Sequence, residues 1–403
     1  MKKYFVSLFL ATALSTLFQI DTQACTAVII SGKATPDGRP LIWKNRDTGE
    51  LNNRVEFFDK KDGRKYSFIS VVNSNRSGYE SWMGVNDAGF AIINTASSSM
   101  RKYEEDQGDR EGELMFEALS LCATVDDFER FLQDESRWPR GVETNLGVID
   151  AEGGAAWFET NSRDYKKFDV NDITAAPHGY IVYTNFSFSN NPDDGAGYAR
   201  YTTASDIMLR RTMSRGAFTP QWIFNALSRS YSNSILGIDL ITDLSLTPNG
   251  WYYDIDFISR RSTASAAVIK GVKKGENPLL SVMWTVLGYT PVSVAVPLFV
   301  AMGKDQPAEV TAAENGNSPI CDAALARREQ VYPLQRGQAK NYVYFGAAYN
   351  GEKTGYIQRL APFEDAIFKT FEAYLEECYT TGKIDRKKLK ELYRNTDYGL
   401  SVK

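Results

Sequence analysis

The chain has 403 residues, 43% of them hydrophobic and 24% charged, with a formal net charge of −4. That balance describes an ordinary globular protein large enough for a sizeable core, and it gives no sign of nucleic acid or an anionic membrane as a partner. A single histidine, His178, excludes zinc sites built on several imidazoles and leaves one imidazole at most as a base for catalysis.

Residues 1–24 read as a secretory signal. Lys2 and Lys3 give a positive start, Tyr4 to Ile20 is largely apolar, and Thr22-Gln23-Ala24 offers small residues at the cleavage offsets. The apolar stretch falls short of the ~20 residues that span a bilayer comfortably, and it contains Ser7, Thr12, Ser15, Thr16 and Gln19. An exported protein is expected, periplasmic or extracellular, without membrane insertion after cleavage. Export permits disulfides among Cys25, Cys122, Cys321 and Cys378. If Cys25 stays free, one intramolecular pair at most remains, and Cys122, in an apolar helical stretch, reads as a buried thiol.

From Thr26 the chain reads as strands. Cys25 to Ser31 is a short apolar run, Pro36-Asp-Gly-Arg39 is turn chemistry, and Leu41 to Arg46 is a returning strand. Strands near Tyr66 to Val72 and Gly89 to Asn94 follow. A helix begins near Glu111, and Thr124-Val-Asp-Asp127 has capping-box spacing ahead of Phe128, Phe131 and Leu132 on one face. Strands resume at Asn145 to Ile149, Ala155 to Glu159 and Tyr180 to Thr184. Helices are expected at Thr203 to Met213 and after Thr219-Pro220, where proline suits the first helical position. Ser262 to Lys270, Leu280 to Leu287 and Val292 to Leu298 read as strands. From about Pro362 the spacing of Ile367, Phe368, Phe371 and Leu375 is helical. The interleaving of strands and helix pairs predicts an α+β domain with sheets faced by helices.

The residue that carries chemistry is Cys25, which an A-x-A-like cleavage would leave first. A residue at a mature N-terminus holds a nucleophilic side chain and its own α-amino group, whose reference pKa of roughly 8 suits a base near neutrality. One residue then supplies nucleophile and base, which answers the shortage of histidine. Cysteine following the cleavage site by chance is the bland reading. A lipoprotein lipidated at Cys25 is a non-catalytic alternative, although such signals usually carry leucine where this chain has Thr22.

Cys25-Thr26-Ala27, the Asp37-Gly38 turn and Lys44-Asn45-Arg46-Asp47 together resemble the start of the choloylglycine hydrolase-like N-terminal nucleophile hydrolases. That group includes bile-salt hydrolases, penicillin V acylases and acyltransferases acting on 6-aminopenicillanate. Gly84 to Gly89 with Asn94, Asn145 to Asp150 with Glu159, Tyr183-Thr-Asn185 and Tyr198-Ala-Arg200-Tyr201 continue the resemblance in order, to about Leu298. It implies a four-layer αββα sandwich over residues 25–337, with residues 338–403 as a C-terminal helical extension packed on or beside it. It also implies hydrolysis of a non-peptide C–N bond in a linear, small-molecule N-acyl amide, or acyl transfer on the same fold, with neither cofactor nor metal. Homo-oligomer formation is left open.

Carried over by position, Asp47 would orient the Cys25 α-amine, and Asn185 and Asn94 would form the oxyanion hole with backbone N–H groups. Arg200 would close the polar network around the nucleophile. The family's arginine ahead of Asn-x-Asp is Lys44 here, with Arg46 two residues later. Lys44 keeps the register, but an ammonium cannot reproduce the planar fork of a guanidinium.

Overall fold

The structure is a computed structural model that describes residues 24–61, 63–76, 78–100, 109–190 and 195–402. The expected signal segment lies, except for Ala24, outside the described residues. The strands are β1 (Thr26–Ile30), β2 (Leu41–Asp47), β3 (Asn53–Phe58), β4 (Phe68–Asn73), β5 (Met83–Asn86), β6 (Ala91–Ala96), β7 (Thr144–Ile149), β8 (Ala155–Thr160), β9 (Tyr165–Asp169), β10 (Tyr180–Tyr183), β11 (Thr263–Lys270), β12 (Val282–Leu287) and β13 (Val296–Leu298). They form two sheets, ordered β10-β1-β2-β11-β12-β13 and β3-β4-β5-β6-β7-β8-β9. Every pairing within them is antiparallel.

The longer helices are α1 (Glu111–Leu121), α2 (Val125–Gln133), α3 (Tyr198–Met213), α4 (Pro319–Val331), α5 (Tyr356–Thr381) and α6 (Arg386–Asn395), and the helix expected after Thr219-Pro220 is a short one, Pro220–Ile223. The two sheets lie face to face. A Cβ added to Gly147 on β7 would come within 3.0 Å of Ile29 Cδ1 on β1, so glycine is what lets the sheets approach there. Outside the second sheet, α1 and α2 close a separate apolar layer that includes Phe68, Phe90, Phe116, Phe128 and Phe158. Outside the first sheet, α3 packs on β1 and β10, and Phe368 of α5 stacks on Trp284 of β12 with centroids 4.1 Å apart. This is the four-layer αββα sandwich.

Local chemistry accounts for several boundaries. Thr124 caps α2 with the full reciprocal box, its hydroxyl accepting from Asp127 N and the Asp127 carboxylate accepting from the Thr124 backbone. Helix α3 starts at Tyr198, five residues before the apolar spacing suggests, and its N-cap Gly197 sits at φ 88°. Helix α5 starts at Tyr356 and carries Pro362 inside it, where a helix start was expected. Strands β3 and β9 went unrecognised in the sequence because both are sheet edges. Edge strands take charged residues, here Arg54, Glu56, Lys166 and Lys167, which blur the apolar alternation.

Residues 338–403 supply α5 and α6, and α5 is pinned to the sandwich by a buried ion pair. Glu364 receives Arg229 Nη1 and Nη2, both at 2.7 Å, and also Ala295 N at 2.7 Å. All four cysteines are buried and free.

Candidate active site

Alternation along β1 and β2 decides which groups meet. In β2, Trp43, Asn45 and Asp47 point to the outer face of the first sheet, whereas Lys44 and Arg46 point between the sheets. Trp43 Nε1 donates to Ser228 Oγ on the outside at 2.7 Å. Lys44 Nζ donates to Asn94 Oδ1 across the sandwich at 2.5 Å. Thr26 pairs with Asn45, so one further step sets Cys25 opposite Arg46. Its side chain then shares the inner face with Lys44 and Arg46, while its backbone lies toward Asp47.

Arg200 of α3 ties this end together. Its Nη1 donates to Cys25 O at 2.6 Å and Thr26 Oγ1 at 3.1 Å, its Nη2 to Asn185 Oδ1 at 3.0 Å, and its Nε to Asp256 Oδ1 at 2.9 Å. Asn185, just past β10, also donates from Nδ2 to Ala96 O at 2.8 Å. Cys25, Arg200 and Asn185 thus form one connected group.

The two inner cations are held differently. Arg46 donates to Asn53 Oδ1 at 2.7 Å and Asn73 Oδ1 at 3.0 Å, and stacks over Trp82 at 4.6 Å. Burial lowers its pKa to about 10, against the attraction of Cys25. Lys44 also donates to Trp82 O at 3.3 Å, and burial brings its pKa to about 8, again opposed by Cys25. Two buried cations thus share the inner face with the Cys25 side chain.

Asn94 takes a different place from the one the resemblance implies. An ammonium can only donate, so the Asn94 oxygen faces Lys44. Its Nδ2 then donates to Glu111 and to Thr144 Oγ1, the latter at 3.4 Å. Both amide hydrogens are committed, and Asn94 bridges Lys44 to a buried carboxyl. Burial raises the pKa of Glu111 well above the ordinary range, with Asp109 adding to the rise and Lys44 opposing it.

Asp47 sits on the outer face, 1% exposed. Its Oδ1 accepts from Thr263 Oγ1 at 2.7 Å, its Oδ2 has no hydrogen-bond partner, and the nearest cation is Arg260 Nε at 3.8 Å. Burial raises its pKa to about 7, with Arg260 and Arg200 opposing. The backbone oxygen of Asp47 accepts from Ala24 N at 3.4 Å, next to the Cys25 amide. A buried carboxylate oxygen without a donor is costly, and a donor at that point of the chain would relieve it.

Sequence reasoning missed Arg260, Asp256, Thr263 and Glu111. Arg260 donates to Asp256 Oδ1 at 2.5 Å, so that charges alternate in a chain from Arg200 through Asp256 and Arg260 to Asp47. Nothing local marks these residues, because each meets its partner, Asp47, Arg200 or Asn94, only through the fold. A cavity of about 560 Å³ opens at Asp256 and Arg260, lined also by Thr48, Arg261, Arg328 and Lys340 among others. Among the described residues no group of His, Cys, Asp and Glu is arranged to hold a metal ion. No helix of the described residues is long and apolar enough to cross a membrane.

His178 lies at the other end of β1. It precedes Gly179, whose oxygen accepts from Ser31 N at 2.8 Å, six residues along an extended strand from Cys25, or roughly 20 Å. It is exposed. His178→Ala is therefore expected to leave turnover on any accepted substrate within about two-fold of the unaltered protein. A loss matching that of Cys25→Ala would instead make the imidazole the base.

No family model and no curated protein sequence matches the chain. Solved structures to which it is similar include a Caenorhabditis elegans N-acylethanolamine-hydrolyzing acid amidase ortholog, at 13% identity over 61% of this chain and 92% of that one, with a TM-score of 0.39. A variant of conjugated bile acid hydrolase from Clostridium perfringens is similar at 11% identity, over 69% of this chain and 93% of that one, with a TM-score of 0.42. Penicillin V acylase from Agrobacterium tumefaciens is similar at 14% identity, over 68% and 85%, with a TM-score of 0.37. At such identities and TM-scores the likeness decides neither chemistry nor substrate.

Proposed function

We propose that the chain is an exported cysteine hydrolase that cleaves the C–N bond of a linear, small-molecule N-acyl amide, with Cys25 as its first mature residue. The observation that carries this reading is the unpartnered Asp47 Oδ2, buried beside the chain that leads into Cys25. Removal of residues 1–24 would turn the Cys25 amide into an ammonium with three donors, one of which can serve the buried, unpartnered Asp47 Oδ2.

The Cys25 thiolate, beside Lys44 and Arg46, attacks the carbonyl carbon and the carbonyl oxygen takes the negative charge. Backbone N–H groups and Asn185 receive that charge, while Asn94 holds Lys44 in place. The tetrahedral species collapses, the C–N bond breaks, and the amine departs with a proton from the α-ammonium. Water, deprotonated by the freed α-amine, attacks the thioester; the C–S bond breaks, the thiolate returns and the acid leaves. Asp47 accepts a hydrogen bond from the α-amino group in both of its protonation states, and Arg200 fixes the backbone of Cys25.

The test combines intact mass and N-terminal sequencing of the exported protein with turnover on a panel of N-acyl amides. The expected protein begins with unmodified Cys25 and releases acid and amine, and hydroxylamine intercepts the thioester. Lipid mass on Cys25, or an N-terminus far downstream, sinks the proposal. An N-terminus a few residues upstream reveals a short propeptide that must still be removed.

A further inference from the structure

Thr263 is the first residue of β11 and stands directly opposite Asp47. It holds that place because of an irregularity in the strand. Ala266 pairs with Asn45 and Ser265 with Arg46, so regular pairing would bring Ala264 opposite Asp47. Instead the register shifts between Thr263 and Ser265, Ala264 becomes the extra residue, and Thr263 takes the outer-face position. Such bulges re-aim one side chain. The effect here is to set a hydroxyl, rather than a methyl group, against the Asp47 carboxylate.

The direction of that hydroxyl follows from its neighbours. Thr263 Oγ1 receives Arg260 N at 3.1 Å, and a backbone N–H can only donate. It also receives Asn45 Nδ2 at 3.3 Å. The Asn45 amide is oriented by Ile258 O, an acceptor only, which takes its other hydrogen at 2.9 Å. With both lone pairs of Oγ1 occupied, its single proton goes to Asp47 Oδ1 at 2.7 Å.

We propose that Thr263, set by the bulge at Ala264 and oriented by Asn45, is a positioning residue that keeps Asp47 ionised and leaves Oδ2 for the Cys25 ammonium. The inference rests on the role of Asp47 in the hydrolase reading. A donor fixed on Oδ1 favours the carboxylate against the burial that would neutralise it, and a neutral Asp47 would hold the α-amine poorly. The other charged groups facing Asp47 are Arg260 and Asp256 from the loop before β11, Arg200 from α3 and, after processing, the Cys25 ammonium. Of these only Arg260 touches Thr263, through its backbone N, and Thr263→Ser keeps an acceptor for it.

The experiment is a pH profile of kcat/KM for the mature protein as it stands, for Thr263→Val, which keeps the shape and removes the hydroxyl, and for Thr263→Ser, which restores it. Thr263→Val is expected to lower kcat/KM about ten-fold or more and to move the acid limb to higher pH by about 0.5 or more, since the ionised carboxylate loses a donor. Thr263→Ser is expected to return both toward the unaltered values. A folded Thr263→Val with unchanged turnover overturns the proposal, and so does lower turnover with an unmoved acid limb, which would be a structural effect alone. Should the unaltered mature protein cleave no N-acyl amide, the hydrolase reading fails and this inference with it. If it is active and only the Thr263→Val arm disagrees, this inference fails alone.

Discussion

A mature protein carrying one non-removable residue ahead of Cys25 is expected to lose about 10²–10⁴-fold in turnover, the range that a positioned proton-transfer group contributes. The fusion converts the α-amine into an amide, which has no basic lone pair, yet leaves the thiol and both inner cations in place. It also returns Asp47 Oδ2 to the unpartnered state seen in the full chain, where burial holds the pKa near 7. His178 cannot substitute across roughly 20 Å of extended strand. The measurement is a pair of progress curves on one N-acyl substrate, with intact mass before and after to exclude trimming and a thermal melt to confirm folding. A folded, untrimmed extension that still turns over removes the α-amine from the mechanism. Cys25→Ala makes a poor substitute for this experiment, because any cysteine mechanism predicts its loss.

Glu364→Ala is expected to cost about 3–5 kcal/mol, the usual effect of removing one partner of a buried ion pair. The Arg229–Glu364 pair is closed on both sides, with side chains 6% and 5% exposed. Besides Glu364, Arg229 donates to Asn225 Oδ1 at 2.8 Å, and to Thr290 O and Ser293 O, both at 3.2 Å. Losing the carboxylate leaves a buried guanidinium facing neutral oxygens, and Ala295 N loses its acceptor as well. Against a typical total of about 5–15 kcal/mol for a folded domain, the change consumes a large fraction. Urea denaturation of both proteins measures it. A paired replacement, Arg229→Met with Glu364→Leu, is expected to recover most of the loss, since no unpaired charge then remains. If Glu364→Ala unfolds within about 1 kcal/mol of the unaltered protein, α5 is not held by this pair.

Much of the fold was legible in the residues because it depends on local periodicity. The short, fully buried runs of β1, β7 and β8 between turn residues, the capping box at Thr124 and the apolar spacing of α2 and α5 each declare an element within a dozen positions. The elements that escaped notice lack such a signal. Strands β3 and β9 carry edge charges, and α4 has apolar and charged residues mixed around its circumference. Helix α5 runs through Pro362 rather than starting there, since a proline marks a place where a hydrogen bond is lost and does not say on which side the helix lies.

The same division runs through the site. Sequence alone determined the nucleophile candidate, through a cysteine at the expected cleavage point and the poverty of histidine, and it placed Lys44, Asp47, Asn94, Asn185 and Arg200 on a shared pattern. Tertiary structure decided what those residues touch. It set Lys44 and Arg46 together on the inner face and Asp47 on the outer, bound Asn94 to Lys44 and Glu111, and joined Arg200 to Cys25. It alone brought Arg260 and Thr263, more than 200 positions along the chain, to Asp47. The physical reason is that strand alternation assigns a face from a few neighbouring residues, whereas a hydrogen-bond partner across a sheet depends on register and on one bulge. Neither of those can be read until the two strands have met.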